Sequence, residues 1–60
     1  MNINDWVMTN AYVGQLWKHG GMYSQILVRD DLKEVIGHVL VPTDELRVIP
    51  KEVADIIRSV

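Results

Sequence analysis

Val13-Gly14-Gln15-Leu16-Trp17-Lys18-His19-Gly20-Gly21-Met22-Tyr23-Ser24-Gln25-Ile26-Leu27-Val28-Arg29 sets two apolar-rich runs on either side of paired glycines. Such spacing predicts a β-hairpin in which residues 13–19 pair with 22–29. Glycine suits the connection because a type I′ turn needs positive φ at both central residues. Ile26-Leu27-Val28 is apolar throughout, as a strand covered on both faces would be.

Outward from this hairpin the punctuation continues. Asp30-Asp31-Leu32-Lys33 supplies turn residues, and Val35-Ile36-Gly37-His38-Val39-Leu40-Val41 reads as the next strand. Gly37 inside it signals a bulge or a close backbone approach. Pro42 removes a ladder donor and ends the strand. Thr43-Asp44-Glu45-Leu46 reads as one 3₁₀ or β-turn, and Arg47-Val48-Ile49 as a short last strand.

At residue 50 the period changes. Pro50 suits a first helical position, where its missing N–H costs nothing. Glu52 and Arg58 complement the helix dipole at its two ends. Val53, Ile56, Ile57 and Val60 follow the i, i+3, i+4, i+7 rule and form one apolar stripe. A helix this short is unstable alone in water, so the stripe is expected to dock through Val53, Ile56 and Ile57.

The segment before Val13 admits two readings. Ile3, Trp6, Val7, Ala11, Val13, Leu16 and Trp17 can share a helical face over residues 4–19, with Asn4 as N-cap. That alternative gives an α+β fold with a single hairpin. Val7, Thr9, Tyr12 and Val13 prefer strands, and Gly14 would cost about 1 kcal/mol inside a helix. Strands are therefore the favoured reading.

The composition bounds the function. The chain has 60 residues, with six Lys and Arg against eight Asp and Glu, a net charge of −2, and 48% hydrophobic residues. It is too apolar and too weakly charged to be disordered. It makes one small domain over residues 1–60, and a domain of this size buries only about 60% of its unfolded surface. With no Cys, neither a disulfide framework nor a thiolate metal site is available. No run approaches the roughly 18 apolar residues of a membrane span. Met1–Asp5 lacks the basic and apolar regions of a signal peptide. A soluble, cytoplasmic protein is expected.

Asp5-Trp6-Val7-Met8-Thr9, the loop Asn10-Ala11-Tyr12, and Val13-Gly14-Gln15-Leu16 resemble the opening of KOW-type small barrels. The later hairpins, the Pro-Thr-Asp-Glu-Leu turn and Arg47–Ile49 are similar to the rest of an SH3-like barrel. The chain departs from that family in lacking a glycine before Asp5 and in carrying a C-terminal helix. The resemblance implies a mainly β fold: a five-stranded SH3-like barrel over about 5–49 and an α-helix over 50–60. It implies that Val7, Thr9, Gly14, Leu16, Ile26, Val28, Val39, Val41 and Val48 point inward. Trp6, Met8, Trp17, Tyr23 and Leu27 would point out. It also implies binding of protein or RNA rather than catalysis.

Chemistry-bearing residues are few. His19, His38, Ser24 and Ser59 show no triad spacing, and neither histidine sits in a metal-ligand spacing. His19 reads as a hairpin residue and His38 as a solvent-facing or cross-strand one. No enzymatic activity, metal, cofactor or small-molecule substrate is expected. The aromatic residues lead further, because Trp and Tyr are enriched at interface hot spots. Trp6, Met8, Tyr12, Trp17 and Tyr23 are the candidate protein-contact residues, with Trp6 and Trp17 expected on one outer face. The main expectation is a non-enzymatic interaction module, a small regulator or inhibitor that occupies a larger protein's surface. One alternative is an RNA- or DNA-binding barrel using Lys18, Arg29, Lys33 and Arg47. Another is a homo-oligomer whose outer patch is its own subunit contact.

Overall fold

The computed structural model describes residues 1–29 and 35–59. Five strands precede one helix: β1 (Trp6–Met8), β2 (Val13–Lys18), β3 (Tyr23–Arg29), β4 (Val35–Pro42), β5 (Arg47–Val48) and α1 (Lys51–Arg58). A 3₁₀ turn over Thr43–Glu45 joins β4 to β5. All pairings are antiparallel, in the order β4-β3-β2-β1-β5. The fold is thus mainly β with a C-terminal helix, and strands occupy the segment that the alternative reading made a helix over 4–19. Among the described residues β4 and β5 are the two edges of the sheet, which does not close into a barrel.

The β2–β3 hairpin forms as expected, with Leu16 opposite Ile26 and Gln15 opposite Leu27. Its turn does not. Residues 19–22 form the loop, and neither Gly20 nor Gly21 has positive φ. Gly20 is needed for clearance instead, since a Cβ there would lie 2.0 Å from the Tyr23 carbonyl oxygen. Its amide donates to Ser24 Oγ at 3.1 Å, and its carbonyl accepts from Thr43 Oγ1 at 2.8 Å. Thr43 has spent its one hydroxyl proton on that carbonyl. Ser24 must therefore donate across the 2.7 Å contact between the two hydroxyls. The result is a closed ring of hydrogen bonds that fastens the hairpin loop to the end of β4.

The β1–β2 loop is fastened by a similar economy. Thr9 is buried, and its Oγ1 accepts from the amides of Ala11 and Tyr12 at 3.1 and 3.0 Å. The Gly37 signal is also met. Between Val28 and Arg29 the β3–β4 register shifts, leaving Ile36 as the extra residue beside Gly37, whose φ is 140°.

The core is Val7, Leu16, Ile26, Val28, Val41 and Leu46, with Val39 packed against it. Val48 departs from its inward assignment and is 54% exposed. It lies opposite Val7 on the two-residue edge strand, and β4 does not come round to cover it. Leu46, two residues earlier, supplies the buried side chain instead.

The helix docks differently from expectation. Ala54 is fully buried, while Val53 and Ile57 are exposed at their edges and Ile56 is 65% exposed. Val60 lies outside the described residues. α1 packs on β1 and β2, where Trp6, Met8 and Val13 are half-buried. A small residue at the centre of the contact lets the helix backbone approach these bulky side chains. At about 100° per residue, Ile56 sits on the far side of the helix from Ala54. Ile56→Ala is therefore expected to change stability by less than about 0.5 kcal/mol. Ala54→Leu is expected to cost about 1–3 kcal/mol by overpacking. Thermal melts followed by circular dichroism check both, and equal melting points for the two variants would contradict this docking.

Candidate functional site

Strand alternation gives the β2–β3–β4 sheet two unlike faces. Leu16, Ser24, Ile26, Val28 and Val41 are buried on one, whereas Tyr23, Trp17, His38 and Leu40 are exposed on the other. Trp17 is the unpaired residue of a bulge, since Leu16 pairs with Ile26 and Lys18 with the adjacent Gln25. A bulge re-aims its side chain. The Trp17 ring reaches His38, although β3 lies between their strands, and stacks on it with centroids 4.6 Å apart and planes 27° apart. Trp17 nevertheless stays 49% exposed and Leu40, two residues beyond His38, is 63% exposed. Met22 and Tyr23 add exposed apolar surface at the hairpin end.

Trp6 has a different setting. It is half-buried, and the Arg58 guanidinium carbon lies 5.1 Å from its ring centroid, within cation–π range. The two indoles therefore do not make one exposed patch. Trp6 belongs to the helix contact, and Trp17 leans the other way, toward β4. Met8 is half-buried on the same side as Trp6. Tyr12 lines a shallow cleft of about 340 Å³ with Met8, Val13, Arg29, Ile57 and Arg58.

Of the cations proposed for nucleic acid, Lys18 and Arg29 stand at opposite ends of the β2–β3 pair, with Lys18 opposite Gln25. Arg47 donates to Asn10 Oδ1 at 2.9 Å, and Asn10 in turn donates to Glu45 Oε1 at 3.3 Å. Lys33 lies outside the described residues. Among the described residues, no three His, Asp or Glu side chains converge as metal ligands would. No described helix is long and apolar enough to cross a membrane.

Leu40 and Arg58 were missing from the sequence reading of the site. Leu40 could have been found, because alternation with Val39 and Val41 inward turns it outward. Nothing in the sequence pairs Arg58 with Trp6. Comparison with protein-family models, curated proteins and solved structures finds no match.

Proposed function

We propose that this chain is a non-catalytic protein-binding module, a small cytoplasmic regulator that occupies a surface of a larger protein. The observation that supports this reading is the exposed Trp17, held by its stack on His38 beside the bare Leu40. A rigidly placed aromatic loses little side-chain entropy on binding, and aromatics of this kind dominate interface energetics. We read the strand order, with β5 returned to β1 after a 3₁₀ turn, as an open relative of the SH3-like barrel. Trp6, Met8 and Tyr12 are then support for the helix rather than part of the contact, and Tyr23 extends the binding face.

Trp17→Ala tests the reading. The side chain is half exposed, so the variant is expected to keep its fold by circular dichroism. Its affinity for a partner captured by the parent chain should fall by roughly 30-fold, or about 2 kcal/mol. Capture by the parent should survive high salt, as an apolar contact does. A folded variant that retains the same proteins in the same yield would overturn the assignment.

A further inference from the structure

The two edges of the sheet are built differently. β5 is two residues long and begins with Arg47, which is how natural sheets blunt an edge. β4 runs Val35-Ile36-Gly37-His38-Val39-Leu40-Val41-Pro42 without one charged residue. Among the described residues its ladder bonds go only to β3.

The outward-facing main-chain groups can be assigned. The Thr43 amide donates to the Met22 carbonyl at 3.0 Å. Hydrogen-bonded residues alternate along an antiparallel pair, so Val41 and Val39 also turn their N–H and C=O toward β3. His38 and Leu40 turn theirs to the open edge. Pro42 falls in the same outward set and has no N–H to offer there. The bulge at Ile36–Gly37 ends the regular edge on the other side.

We propose that β4 pairs with β4 of a second copy, antiparallel about a two-fold axis at Val39. In that register His38 of each copy faces Leu40 of the other. Every outward N–H of these residues meets an outward C=O, as a self-complementary interface requires. The pairing strands contain no Asp, Glu, Lys or Arg, so the carboxylates of an acidic chain do not meet there. On the outer face each Leu40 comes beside the other copy's His38, over which Trp17 is already stacked. One short ladder plus this apolar contact is smaller than the roughly 1,200–2,000 Å² of a standard interface. Association is therefore weak, with a dissociation constant on the order of 10–100 μM.

Sedimentation equilibrium of the intact chain from about 5 μM to 1 mM is expected to show a mass rising from 6.9 kDa toward its double. Leu40→Lys should keep the fold, because the side chain is exposed, and should weaken association at least about tenfold, since an edge lysine blocks pairing. In the parent, the His38 and Leu40 amides should become slower to exchange as concentration rises. A chain that stays monomeric throughout overturns the proposal. So does association that leaves those amides unprotected, or that Leu40→Lys does not weaken. Protection of β4 appearing only with a different protein would replace the second copy by a foreign strand. A monomeric parent leaves partner capture through Trp17 intact, so failure here is distinguishable from failure of the binding function.

Discussion

Gly14→Ala is expected to unfold the domain or leave it barely folded at room temperature. Gly14 is buried in β2, the middle strand of the sheet. A Cβ there would lie 2.4 Å from the Leu27 carbonyl oxygen and 3.0 Å from its carbon. These are backbone atoms of the paired strand, so no side chain can rotate away. Relief requires β2 and β3 to separate where Gln15 opposes Leu27. Overpacking costs typically about 1–3 kcal/mol, and a collision with backbone belongs at or above the top of that range. At about 0.05–0.15 kcal/mol per residue, a chain this size has only a few kcal/mol in total. Urea unfolding followed by circular dichroism, with a proton–nitrogen NMR spectrum, measures the outcome. A variant melting within a few degrees of the parent would show that β2 and β3 are not so close.

Ile26→Ala should have the next largest effect. Ile26 is fully buried, and its register places Leu16 on one side and Val39 on the other. Truncation removes packing from three adjacent strands at once, and the ladder keeps them from collapsing into the void. The expected loss is about 2–5 kcal/mol. For so small a domain that corresponds to a drop in melting temperature of roughly 10 °C or more. The urea midpoint should fall while the slope of the transition holds, as it does when stability alone changes. Leu27→Ala, one residue along on the opposite face, should cost much less. Equal losses at the two positions would mean that the faces of β3 are not distinguished.

These two positions also show what could be read from sequence. Alternation is a local property of extended backbone, so the parity that the barrel resemblance implies sets Val7, Leu16, Ile26, Val28 and Val41 inward together, and all five are buried. Gly20-Gly21 marked the hairpin correctly but for the wrong reason. Glycine there answers crowding by the Tyr23 carbonyl, which only the folded loop creates. The helix stripe misled because periodicity finds an apolar face without knowing the surface that receives it. Where α1 meets β1 and β2, Ala54 is the side chain that is fully buried and Ile56 stays exposed. Val48 was misplaced because its parity was right but the sheet stops there. At Trp17 parity gave the correct side, while the bulge that turns it toward His38 depends on the pairing with β3. The candidate site was thus half visible. Trp17 and Tyr23 were legible as outward aromatics, whereas the diversion of Trp6 to Arg58 needed the helix in place.

The pairing of β1 with β5 has a consequence for the order in which the molecule assembles. β2–β3 and β3–β4 join neighbours along the chain, and little entropy is lost in closing their loops. β1–β5 joins the first strand to the last, so its closure is the most expensive and is rewarded only once the hairpins exist. The hairpins β2–β3–β4 are then expected to form first, and the β1–β5 pairing after them. Contacts made late weigh on the rate of unfolding rather than on the rate of folding. Truncating the Val7–Val48 pair is thereby expected to speed unfolding more than it slows folding, and truncations in the glycine-bounded hairpin to do the reverse, as stopped-flow rates in urea would show.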